Sequence, residues 1–345
     1  MALLGVESVI FGVDDLDRCA IFWEDFGLNP VSHAADEHIF DVQSGARIIL
    51  RKRGDPRLPT AFSHKVGAHE TVWGVDTQAN LDKLVADLRT DREVTIDASG
   101  VAHFSTDCGM PLGLTVWTPR KIVSQPDPVN APGNIQRLNL HRKWRRRAIP
   151  KTINHVVFFV KDYVATFEFF RDRLNFRLTD HTRGVGAFAR CDGAWEHHNI
   201  FFVSCELPVA PDEPGFMHMA FGLEDIDELM IGVNIMEKKG WKNDSPNTMG
   251  GLSRHRISSA IYYYFDSPAG GEAEYHVDTD YLDDNWIARS WDFKFGSLMW
   301  ATRIPSMWQG DVPMDMTFDP DGKSLDAYRL KKPAEAPKAD APIKA

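Results

Sequence analysis

The chain has 345 residues, 43% of them hydrophobic, and a formal net charge of −10 at pH 7. That length supplies apolar material for two packed domains, and the acidic balance excludes the basic surface that a nucleic-acid binder presents. No stretch approaches the roughly 18 to 20 apolar residues of a membrane-spanning helix, and the first residues carry neither a basic n-region nor a cleavage site, so no membrane partner and a cytoplasmic location are expected.

In chain order, one pattern recurs about every seventy residues: a strand, an acidic helix start, an amphipathic helix and short strands. The first copy opens with the strand at 7–13. A helix follows from Asp15, with Leu16, Cys19, Ala20, Trp23 and Phe26 at spacings of three and four. The second opens at 70–75 and continues through Leu81, Leu84, Val85 and Leu88. After it comes a basic cluster, His141 to Arg147, ahead of Pro150. A solvated linker or subunit contact is the expected role there, with steering of an anionic aromatic substrate as the alternative. The third copy opens at 153–160, followed by Tyr163, Val164, Phe167, Phe170 and Leu174. The fourth opens at 216–223, and its helix carries Ile226, Leu229, Met230, Val233 and Met236 behind a capping box formed by Asp225 and Glu228.

Local echoes support the repeat: residues 11–15 read FGVDD and 158–162 read FFVKD, while 72–75 read VWGV and 220–223 read AFGL. The expected fold class is α+β, with four βαβββ units paired into two domains, each an incomplete barrel with its helices outside. An N-terminal pair occupies 1–133, a basic linker 134–151 and a C-terminal pair 152–281. A Trp- and Met-rich extension, 282–331, is expected to lie against a domain or over its mouth. The Pro-, Ala- and Lys-rich tail, 332–345, is expected to be disordered. Cys19, Cys108, Cys191 and Cys205 show no disulfide or zinc spacing.

The stretch 255–276 concentrates candidate chemistry. Residues 259–265 read as a strand, 267–271 as a turn and 272–277 as a returning strand. Glu272, Glu274 and His276 then share one face. His155 and His218 occupy comparable places in the opening strands of units three and four. With a carboxylate from the returning strand they would converge inside one barrel, as in the two-His, one-carboxylate facial triad of non-haem Fe(II) sites.

Residues 152–280 resemble the catalytic half of the type I extradiol ring-cleavage dioxygenases, the catechol 2,3-dioxygenase and 2,3-dihydroxybiphenyl 1,2-dioxygenase group of the vicinal oxygen chelate superfamily. Tyr264 with the run Ser267 to Tyr275 matches that family's closing motif, His155 through Asp162 its first metal-histidine context, and His218 with Asp225-Ile226-Asp227 its second. The resemblance implies metal ligation by His155, His218 and Glu274, the last selected over Glu272 by its ten-residue step from Tyr264. It assigns acid–base work to His198, the latter of a His-His pair, and substrate hydrogen bonds to His255 and Tyr264. Glu272 and His276 are then bystanders. It further implies Fe(II), with Mn(II) accepting the same donors, O2 as co-substrate, extradiol cleavage of a catecholic small molecule in aromatic-compound degradation, and a homo-oligomer. Ala269 in place of serine and a long segment between His198 and His218 depart from the family pattern and bear on specificity.

Two other readings are a metal-dependent lyase or isomerase on the same scaffold and a non-catalytic aromatic-binding module. Alignment on the echoes sets Ser8, Glu70 and Thr115 opposite His155, His218 and Glu274, so one active site per chain is expected, in the second half.

Overall fold

The computed structural model describes residues 3–62, 67–207, 210–243, 251–304 and 308–330. The expected tail 332–345 lies outside the described residues, as does Met307 of the extension.

All four repeats form. The first comprises β1 (Leu3–Val13), α1 (Leu16–Asp25), β2 (Asn29–His33), β3 (Glu37–Asp41) and β4 (Arg47–Lys52). The second comprises β5 (Gly67–Val75), α2 (Gln78–Leu88), β6 (Thr95–Ile96), β7 (Ala102–Ser105) and β8 (Pro111–Val116). The third comprises β9 (Thr152–Val160), α3 (Tyr163–Leu174), β10 (Arg177–Thr182), β11 (Gly186–Arg190) and β12 (Ile200–Ser204). The fourth comprises β13 (Gly215–Gly222), α4 (Ile226–Lys238), β14 (Ser253–Arg254), β15 (Ile261–Asp266) and β16 (Glu272–Val277).

Each main helix starts on a side-chain cap: Asp15, Thr77, Asp162 and Asp225 accept from the backbone N–H three residues on. The capping box of α4 closes differently from the expected pattern. Glu228 reaches the N–H of Glu224, one residue before the cap, at 2.7 Å, and also takes the N–H of Ile149 from the linker.

Units one and two make an eight-stranded sheet, ordered β2-β3-β4-β1-β5-β8-β7-β6. Units three and four make the second sheet, which the extension enlarges with β17 (Arg289–Trp291), β18 (Trp300–Ala301) and β19 (Met316–Phe318), around a short helix α5 (Phe293–Ser297). Thus β17 extends the sheet beside β10, while β18 pairs with β14 at its other end. The two halves share packing. The Tyr275 ring stacks on Phe26 at 4.0 Å, and its hydroxyl donates to the Phe26 carbonyl at 2.6 Å.

The basic cluster is linker hardware. Arg142 pairs with Asp227, Lys143 with Glu224, and Arg145 with both Glu224 and Asp225, so the segment is tied to the start of α4. Among the described residues, no helix is long and apolar enough to cross a membrane. All four cysteines are unpaired.

Candidate metal centre

Strands β16, β13 and β9 lie side by side, and β15 flanks β16. Their registers put His155, Ala220, Glu274 and Tyr264 in one row across the sheet. His218 sits two residues before Ala220 on the same strand and hence on the same face. The tight turn into β16 needs Gly271: its φ is +66°, and a Cβ there would stand 2.4 Å from the Met217 carbonyl of β13.

His155, His218 and Glu274 are all buried, and their donor atoms lie within 4.8 Å of one another. Each Nε2 is 3.3 Å from Glu274 Oε2. Neither approach has hydrogen-bond alignment, so that oxygen is buried without a donor among the described residues. A charged oxygen left in that condition costs several kcal/mol unless something neutralises it. Burial pushes the Glu274 carboxyl up, but the two imidazoles beside it outweigh burial and hold it well below the usual carboxylate range. Burial also lowers His155. Two imidazoles and one carboxylate gathered within reach of one point fit a divalent ion that takes nitrogen and oxygen donors.

The triad floors a cavity of about 410 Å³. His198, His255 and Tyr264, the three other expected site residues, also line it. His255 donates from Nδ1 to the Ser297 carbonyl of α5 at 2.6 Å, which leaves Nε2 as an acceptor facing the Tyr264 hydroxyl at 3.4 Å. Burial lowers His255 to about 4 and raises Tyr264 well above its ordinary 10, so the pair is neutral and the phenol keeps its proton. The His198 ring lies 4.1 Å from that of His155, and burial pushes it well below its ordinary value too.

Other residues were missed or read differently. His276, read from sequence as a bystander, lines the cavity at 2% exposure, and neither ring nitrogen has a partner among the described residues. Its i+2 relation to Glu274 was the signal for it. Glu272 lines the cavity as well, but accepts from Asn243 at 2.8 Å. His197 and Asp180, both fully buried, bond behind His198. The extension supplies Phe293, Ser297 and Trp308 to the walls.

In the first half, Ser8 pairs with Val72 and Val72 with Gly113. Gly113, and not the expected Thr115, therefore stands where Glu274 stands in the second half. Glu70 is bonded to His103 at 2.8 Å, and Ile10, Ile49 and Val72 form an apolar cluster where the other half is open. Among the described residues, His155, His218 and Glu274 are the one group of three such side chains able to hold an ion.

Residues 152–272 match the Glyoxalase/Bleomycin resistance protein/Dioxygenase superfamily. The chain is 28% identical over 215 residues to metapyrocatechase 2 of Cupriavidus necator, covering 61% of this chain and 62% of that protein. It is 29% identical over 150 residues to an iron-dependent extradiol dioxygenase of Rhodococcus jostii, covering 40% and 47%. Both matches span less than two thirds of the relative. In fold it resembles a Mn(II)-bound glyoxalase from Novosphingobium aromaticivorans, with a TM-score of 0.67 and 19% identity over 91% of this chain and 96% of the other. It also resembles homoprotocatechuate 2,3-dioxygenase from Arthrobacter globiformis, with a TM-score of 0.66 and 15% identity over 92% and 95%. The architecture is the vicinal oxygen chelate, glyoxalase-like α+β fold.

Proposed function

We propose that the C-terminal half is an extradiol ring-cleavage dioxygenase that opens a catechol with O2, using Fe(II) held by His155, His218 and Glu274. The observation that carries this reading is the approach of both Nε2 atoms to one undonated Glu274 oxygen at 3.3 Å, in a cavity that also holds His198, His255 and Tyr264. When bound, the ion supplies a Lewis-acidic, redox-active centre at which a catechol and dioxygen meet. The iron assignment leans on the iron-dependent relative; Mn(II) takes the same donors.

The protein's own groups divide the remaining work. His198 takes a proton from a substrate hydroxyl, a task suited to a neutral imidazole. Tyr264 stays protonated and, when substrate enters, turns its one proton from His255 Nε2, held by α5 and 3.4 Å away, to a substrate oxygen that gains charge. Aromatic walls such as the Phe188–Phe201 pair, stacked at 3.7 Å, keep water from the ring.

The substrate class follows from the same walls. Among the described residues that line the cavity there is no Lys or Arg. Val157, Val185, Val203, Phe293 and Trp308 surround the space beyond the polar end, so an uncharged catechol with an apolar substituent is the ligand they suit. Arg142, Lys143 and Arg145 of the basic cluster are paired at the start of α4, and no residue of the cluster lines the cavity.

A metal-dependent lyase or isomerase on this scaffold would call for a further carboxylate ligand, whereas Glu272 is engaged by Asn243. Self-association belongs to the same reading: the connecting segment displays Leu138, Leu140 and Trp144 at 71%, 69% and 89% exposure, and light scattering tests it.

Anaerobic loading with Fe(II), followed by oxygen uptake and visible spectra with catechol and 2,3-dihydroxybiphenyl, tests the function. Uptake with a coloured ring-fission product is expected. Full iron occupancy with no uptake on either compound refutes it, and so does a His155→Ala protein that keeps stoichiometric iron and full uptake.

A further inference from the structure

We propose that Asp180 and His197 are positioning residues that keep the proton of His198 on Nδ1, leaving its Nε2 as the free base for substrate. The inference rests on the acid–base role given to His198 above and adds two residues and a hydrogen-bond direction to it.

The direction follows from the donors around Asp180, taken with a single ring proton on His197. Asp180, on β10, has no exposed surface. Its Oδ1 accepts the backbone N–H of Arg289 at 2.8 Å, and its Oδ2 accepts the indole N–H of Trp291 at 3.1 Å. Neither group can accept a hydrogen bond in return. The third neighbour of that carboxyl is His197 Nε2, 3.1 Å from Oδ2. A carboxylate oxygen already taking an N–H requires a proton on the facing nitrogen, so His197 is protonated at Nε2. With that single ring proton, His197 presents a lone pair at Nδ1. That atom lies 3.1 Å from Nδ1 of His198, and two lone pairs at that distance repel. The contact becomes a bond only when His198 donates, so the His198 proton sits on Nδ1.

The consequence is a run from carboxylate to imidazole to imidazole, ending at the ring that lines the cavity. When His198 takes a substrate proton, the O–H bond breaks with its electron pair left on oxygen, and an N–H bond forms at Nε2. The imidazolium so formed still donates through Nδ1 to His197, which still donates to Asp180. The positive charge therefore develops at the head of a line of aligned bonds ending in the buried Asp180 side chain. The same tautomer-fixing logic governs the acid behind the histidine of serine proteases. Arg289 and Trp291 belong to β17, so the Trp-rich extension anchors this run as well as walling the cavity.

The test uses the full chain, with histidine rings labelled with 15N, in metal-free form for ring spectra and iron-loaded form for kinetics. Long-range 1H–15N correlations should show His198 as the Nδ1–H tautomer. In Asp180→Asn the amide can donate to His197, and His198 should move to the Nε2–H tautomer. In the iron-loaded form kcat should fall roughly 10²- to 10⁴-fold, with KM and iron content changed less than about threefold. His197→Phe should lose a similar factor and His197→Gln, which can still accept, should recover part of it. If Asp180→Asn folds poorly, the His197 pair carries the test: His197→Phe leaves His198 Nδ1 without an acceptor and should populate both tautomers, and His197→Gln should restore the Nδ1–H form. An Nε2–H tautomer in the unaltered chain overturns the proposal. So does an unchanged tautomer in the variants, or a kcat loss that merely tracks lost iron with no advantage for glutamine. The ring spectra decide this inference even if the unaltered protein cleaves no catechol, which would instead count against the proposed function.

Discussion

Tyr264 and Glu274 stand directly opposite one another on β15 and β16. The ten residues that separate them in sequence are thus one step across a hairpin, which puts a protonated phenol beside the carboxylate of the proposed metal triad. Removing only the hydroxyl, in Tyr264→Phe, should leave iron content unchanged and lower kcat about tenfold or more through loss of one donor to the charged form of the substrate. Iron analysis beside steady-state kinetics checks this; an unchanged kcat would remove Tyr264 from the reaction.

The proposed metal ligands and His198 should separate cleanly. Glu274→Ala or His218→Ala should lose iron and oxygen uptake together, since two donors hold a divalent ion far less tightly than three. His198→Phe should keep its iron and lose roughly 10²- to 10⁴-fold in kcat. Iron-to-protein ratios measured on the same samples decide between the two patterns.

A cavity without cationic side chains along its described walls should discriminate by charge. Placing a carboxylate against Val203 or Trp308 leaves it unpaired, at a cost of several kcal/mol. The kcat/KM for 2,3-dihydroxybiphenyl should therefore exceed that for 3,4-dihydroxyphenylacetate by about 10²-fold or more. Trp308→Ala should weaken the former and spare unsubstituted catechol. Equal efficiencies on the charged and uncharged compounds would sink this prediction.

Stability should fall on acidification even without metal. His181, fully buried between Tyr163 and Ser324, is lowered by burial from 6.5 to about 4. As pH drops, the unfolded chain takes up this proton first, near 6.5, while the folded chain resists until about 4. The contribution of neutral His181 is thus full above pH 6.5 and lost between about 6.5 and 4, worth up to about 3 kcal/mol. His255 and His276, both also lowered to about 4, act in the same sense. Urea melts of the metal-free protein at pH 8 and pH 5 should show the loss, and His181→Gln should flatten it. A variant with the same pH slope as the parent would contradict this account.

Much of the architecture is written locally. The caps at Asp15, Asp162 and Asp225, the stripes behind them and the strand 272–277 depend on neighbours within a few residues, and the structure has them where the text places them. The three proposed ligands were legible because two repeats put His155 and His218 at like positions and a motif singled out Glu274. What could not be read depends on partners far along the chain. Gly113 in place of Thr115 is a matter of register on β8, which the echoes in the two opening strands of that half leave undetermined. The strands of the extension are two or three residues long, too short for a period, and exist by pairing with β10 and β14. Asp180 sits on β10, seventeen residues before His197 in the loop between β11 and β12, and nothing in the segment RLTDHT marks it as a partner.

Glu274 and Tyr275 are consecutive on β16, and alternation sends them to opposite faces. One side chain enters the cavity, while the other stacks on Phe26 of the first half and donates to its carbonyl. The first half thus serves as the footing for one of the three proposed ligands. A loss-of-function screen over this chain would return substitutions at Phe26 alongside those at Glu274, and the first half would look catalytic.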